Sequence, residues 1–147
     1  MRNLLETYAV DAVPVLIVRY RSQPSADEIF PPFRALVTQR PKILNYAQIW
    51  DIRGWTGMKF DNQWMDQVQW NRKFRDAHGM ETENLLPFVL LMDSDPRLTK
   101  LIAHSPSYQI APMFIGFNSD SAWAIAAPEC VMPQGARDFL SRNDHLG

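Results

Sequence analysis

Asp51, Asp93 and Asp95 are the residues best placed to do chemistry, because each closes an apolar run that reads as a strand: Tyr46 to Ile52 for the first, Leu86 to Met92 for the other two. Carboxylates that meet beyond strand ends could hold Mg²⁺, which prefers hard oxygen ligands. A Mg²⁺-dependent phosphoryl-transfer enzyme using strand-end aspartates is therefore one reading. The plainer role for Asp93 and Asp95 is to cap the helix that follows, at its positive end. In Asp51-Ile-Arg53, strand alternation puts both charged side chains on one face. An ion pair there would organise the turn and orient a bound group, or it would be a surface salt bridge of little energetic worth. His104-Ser105 is the adjacent base and hydroxyl pair, and it reads as a helix end. The six glycines have no phosphate-loop spacing.

The totals narrow the field. The chain has 147 residues, 46% of them hydrophobic, which suits one domain over residues 1–147 with its own core. A net charge of −1 with scattered Lys and Arg points to neither nucleic acid nor an anionic membrane. Cys130 is the single cysteine, and His78, His104 and His145 lack ligand spacing, so neither a disulfide nor a metal site nor a cofactor is expected. MRNLLETYAVD has no long apolar core and no small-residue cleavage site, so no signal peptide is expected. The apolar run Phe88 to Met92 is far short of a membrane span. A cytoplasmic protein is the expectation. Five tryptophans, eight phenylalanines and seven methionines fill a large core, with some left to line an apolar pocket, a partner surface or a homodimer interface.

The elements that would position these residues are legible. Leu4 to Val10 and Val13 to Arg21 read as strands. Ser25 to Glu28 is a capping box opening a helix that Pro31-Pro32 should bend, or restart at Pro32, before it closes at Pro41. Residues 60–78 form the clearest helix, with Asp61 as its N-cap and Gly79 as its stop. Phe60, Trp64, Val68, Trp70, Phe74 and His78 fall on its sheet-facing side, and Gln67 and Asp66 mostly elsewhere. A short helix over Pro96 to His104, a strand over Pro112 to Phe117, a helix capped by Asn118 and running to Ala127, and a last helix over Gln134 to Ser141 complete the chain. The order β-β-α-β-α-β-α-β-α implies an α/β fold: a single mixed, mostly parallel sheet of about five strands with packed helices.

That order, together with Ile49-Trp-Asp-Ile-Arg-Gly54, the strand Phe88 to Met92 running into Asp93-Ser-Asp95, and Phe114-Ile-Gly-Phe-Asn-Ser-Asp-Ser-Ala-Trp123, resembles the STAS superfamily. Within it, the likeness is to the bacterial sporulation anti-sigma-factor-antagonist-like (SpoIIAA-like) domains, over residues 5–127. The resemblance implies a small, usually non-enzymatic regulatory domain that binds a partner protein or a small ligand. Some members are switched by phosphorylation at the start of the helix after a central strand. Thr56 stands nearest that position, although the family's Asp-Ser-Ser/Thr-Gly form is absent and the site also reads as a turn or cap hydroxyl. The expected contact surface is the 53–59 turn with the 93–97 turn: Asp51, Arg53, Trp55, Thr56, Met58, Asp93 and Asp95, with Arg53, Trp55 and Met58 exposed. A variant places a small apolar ligand in a pocket under the 60–78 helix.

Overall fold

The computed structural model describes residues 4–55, 62–93 and 112–141. Two strands, β1 (Leu5–Val10) and β2 (Val15–Tyr20), form an antiparallel pair. The helix α1 (Ala26–Gln39) and a 3₁₀ turn (Pro41–Asn45) lead to β3 (Ala47–Asp51). The helix α2 (Asn62–Ala77) leads to β4 (Phe88–Leu91), and β5 (Met113–Gly116) precedes α3 (Ser119–Ala126) and α4 (Gln134–Ser141). The strands lie in chain order in one five-stranded sheet. β2 to β5 are parallel and β1 runs against them, so the sheet is mixed.

Helices cover both faces, which explains why β2, β3 and β4 are buried along their whole length. One face is aromatic. Tyr20, Trp50, Phe88 and Leu90 from the sheet meet Phe30, Phe33 and Val37 of α1 and Trp64 and Val68 of α2. The other is aliphatic and shallow. Val15, Ile17, Ile49, Val89 and Leu91 meet Ala122, Trp123 and Ala126 of α3 and Ala136, Phe139 and Leu140 of α4. A Cβ on Gly116 would stand 3.0 Å from the Ala122 backbone, so glycine is what lets α3 lie this close to β5.

Two helices depart from expectation. α1 runs unbroken through Pro31 and Pro32 instead of restarting at Pro32. The missing N–H groups fall in its second turn. The Glu28 carboxylate accepts from the Ser25 N–H at 2.9 Å, and Phe30, Phe33 and Val37 anchor the core side on both flanks of the prolines. In α2 the buried stripe is Trp64, Gln67, Val68, Asn71 and Arg75. Gln67, expected away from the core, is 1% exposed, and its Oε1 accepts from Arg34 Nε at 2.7 Å. Trp70, Phe74 and His78 instead form a stacked ladder along the flank of α2, with centroids 5.1 and 4.0 Å apart. Asp61 and the 96–104 segment, with His104-Ser105, lie outside the described residues.

Candidate functional site at the carboxyl edge of the sheet

The carboxyl ends of parallel strands are where open α/β sheets bind ligands. Here β3 ends at Asp51 and the chain turns at once. Trp55 N donates to the Ile52 carbonyl at 3.1 Å, and Gly54, third of the four turn residues, has φ +82°. A positive φ at that place is the type II turn's demand for glycine. Loops from both neighbouring strands hold the turn. Gly54 N donates to Asp93 Oδ2 at 2.9 Å, and Gln23 Nε2 donates to the Gly54 carbonyl.

Beneath the turn lies a buried charge cluster. Arg53 donates from Nε to Asp51 Oδ1 and from Nη2 to Asp51 Oδ2, each at 2.9 Å, and its backbone N–H reaches Oδ1 at 3.2 Å. Asp51 is 1% exposed and Arg53 5%. The expected ion pair is therefore present, but it is not a surface salt bridge, and Arg53 is not an exposed contact residue. The last helix explains this. Arg53 Nη2 also donates to the Leu140 carbonyl at 2.8 Å. In the register next door, Arg19 donates to the Phe139 carbonyl, sits 3.8 Å over the Phe139 ring and pairs with Glu6 at 3.3 Å. The last carbonyls of a helix have no partner within it, and its C-terminal end favours cations. α4 has no basic residue in its last turn. Arg19 of β2 and Arg53 of the turn take that part.

Trp55 is half-buried, its ring edge-on to Tyr20 at 5.4 Å. Asp93 is exposed. Thr56, Met58 and Asp95 lie outside the described residues. The carboxyl edge thus gathers Asp51, Arg53, Trp55 and Asp93 as expected. Gln23 was missed, because nothing in its sequence neighbourhood marks it as a partner of Gly54. Among the described residues, no three His, Cys, Asp or Glu side chains cluster to hold a metal ion. Between α1, α2 and the sheet the described aromatic side chains pack on one another: the Trp50 ring lies 5.0 Å from Phe33 and 5.7 Å from Phe88, and the Trp64 ring 5.8 Å from Phe30.

Tyr20 ties this edge to α1 by donating its hydroxyl to the Ile29 carbonyl. Burial raises its pKa well above the ordinary 10.0, so the fold favours the neutral phenol. The associated stability is whole below about pH 10, the unfolded value. It is lost as pH rises from there through the higher folded value, because the unfolded chain gives up the proton first. Stability should fall in that window by up to about 1.4 kcal/mol per pH unit. In alkaline urea titrations Tyr20→Phe should remove this part of the slope, and equal slopes in the two proteins would contradict it.

No helix among the described residues is long and apolar enough to cross a membrane. No family model, curated protein or solved structure matches the chain.

Proposed function

We propose that the chain is a non-enzymatic, cytoplasmic regulatory module of STAS-like kind, and that the 52–55 turn with Gln23 and Asp93 is the surface a partner protein recognises. The observation that carries this is the state of Asp51. Both its oxygens are occupied by Arg53 in a buried pair, so the central strand-end carboxylate is spent on shaping the turn. What the turn offers outward is a half-exposed tryptophan beside glycine backbone and two polar side chains. Tryptophan at the centre of such a patch is a common binding hot spot. The same state of Asp51 weighs against Mg²⁺-dependent phosphoryl transfer, which would need that carboxylate free.

Native mass spectrometry of the full chain purified from its own host tests the proposal. A co-purifying protein should be retained by wild type and lost from Trp55→Ala, whose affinity should drop at least about tenfold. Circular dichroism must show the variant folded. A co-purifying apolar small molecule in place of a protein would move the reading to a ligand-binding module. Mg²⁺ binding that Asp93→Asn abolishes would overturn it in favour of the enzyme.

A further inference from the structure

At the opposite end of the sheet, where β3 and β4 begin, lies a cavity of about 190 Å³. Its walls include Leu44 and Asn45 of the 3₁₀ turn, Gln48, Arg75 at the end of α2, and Leu86 with Phe88. Arg75 is 3% exposed. Its Nε donates to Asn71 Oδ1 at 2.8 Å, its Nη1 to Asn45 Oδ1 and the Glu81 carbonyl at 3.0 Å each, and its Nη2 to the Leu44 carbonyl. Every one of these acceptors is neutral. Among the described residues no carboxylate pairs with this guanidinium, and the end of α2 supplies only the partial charge of its dipole. Burial accordingly pushes the Arg75 pKa below its ordinary range. A guanidinium has five N–H groups. The bonds just given account for all but one, which is on Nη2.

A second donor stands beside it. Gln48 is 5% exposed, and its Oε1 accepts from the Trp50 indole N–H at 2.9 Å. The indole can only donate, which fixes the amide's orientation. Gln48 Nε2 is left as a donor with no acceptor among the described residues, in the wall of the cavity. Leu44, Leu86 and Phe88 give the lining an apolar side, Leu86 being 43% exposed, while Asn45, Tyr46, Glu81 and Asn84 complete it with polar groups. The volume is below the roughly 300–1,000 Å³ of drug-sized pockets. A buried cation wants a paired anion.

We propose that this cavity binds a small carboxylate with a short apolar tail, its oxygens accepting from Arg75 Nη2 and Gln48 Nε2 and its tail lying along Leu44 and Leu86. The site is separate from the carboxyl-edge surface and does not depend on it. A single carboxylate matches the one guanidinium, and the Glu81 carboxyl in the same lining, with Leu44, Leu86 and Phe88, disfavours the more highly charged inorganic phosphate.

The test is thermal denaturation and calorimetry of the full chain with hexanoate, neutral hexanamide and inorganic phosphate, each at about 10 mM, where a bound ligand raises Tm by mass action. Hexanoate should raise Tm, and the other two should not. Arg75→Gln removes several structural hydrogen bonds and can fail to fold, so the decisive variant is Gln48→Glu. It keeps an oxygen for the Trp50 indole and supplies a carboxylate inside the cavity. It should fold, hold or raise Tm without ligand, and lose hexanoate affinity at least about tenfold. Glu81→Gln, which removes an exposed like charge at the mouth, should tighten binding. No response to hexanoate, equal responses to hexanoate and hexanamide, or a Gln48→Glu variant that binds like wild type would each overturn the proposal.

Discussion

Arg53→Met destabilises the protein by about 3–5 kcal/mol, the scale for removing one partner of a buried ion pair. The substitution takes both guanidinium bonds from the Asp51 carboxylate, which is 1% exposed, and strips the Leu140 carbonyl of its Nη2 partner. Whole domains have about 5–15 kcal/mol of stability, so the loss is a large share. The double variant Asp51→Leu/Arg53→Met separates two causes. If the loss comes from an orphaned charge, removing both charges restores stability to within about 1–2 kcal/mol of wild type, because apolar replacements of buried pairs are often neutral. Urea midpoints of the three proteins decide it. A single variant within about 1 kcal/mol of wild type would mean the pair behaves like a solvated one.

Trp50→Ala should cost a similar amount, about 3–5 kcal/mol. Trp50 is 3% exposed near the carboxyl end of β3, with ring centroids of Phe33, Phe88, Phe30 and Tyr20 at 5.0, 5.7, 6.2 and 6.4 Å. Elements before and after it in the chain meet on this one indole, so the void has no single neighbour able to close it. Trp50→Phe should lose less, since it keeps most of the ring contacts and gives up the bond to Gln48. Urea unfolding should show a lower midpoint with an unchanged m value. A midpoint shift worth under about 1 kcal/mol for Trp50→Ala would show that the aromatic layer repacks.

Where side chains follow their neighbours in sequence, the fold was legible. The β-branched run in Val15–Tyr20, the continuous apolar run in Phe88–Leu91 and the Asn118 cap, whose Oδ1 accepts from Ser121 N at 2.8 Å, each announce their element. The Asp51–Arg53 pair was legible too, because a spacing of two on extended backbone is local geometry. Its burial was not, because the helix that covers it comes from the far end of the chain. Arg75 shows the opposite difficulty. An arginine on a helix reads as solvated, and only its spacing from Asn71 and Gln67, one turn apart each time and in line with Trp64, hints that it faces inward. The cavity beside it is formed by three separate segments, which no local pattern encodes.

The arginine cap on α4 also sets an order in time. Arg53 reaches a carbonyl 87 positions later in the chain, and Arg19 one 120 positions later. Ribosomes add about 5–20 residues per second, so Arg53 exists for roughly 4–17 s before its cover is synthesised. In that interval the aromatic face of the sheet can close over with α1 and α2, while Asp51 and Arg53 stay hydrated and the face of Val15, Ile17 and Ile49 has at most α3 to cover it. A nascent chain paused before residue 134 is therefore finished on its aromatic side and still adhesive on the other, where α3 lies without Ala136, Phe139 and Leu140. The 52–55 turn takes its final shape only after translation has passed α4.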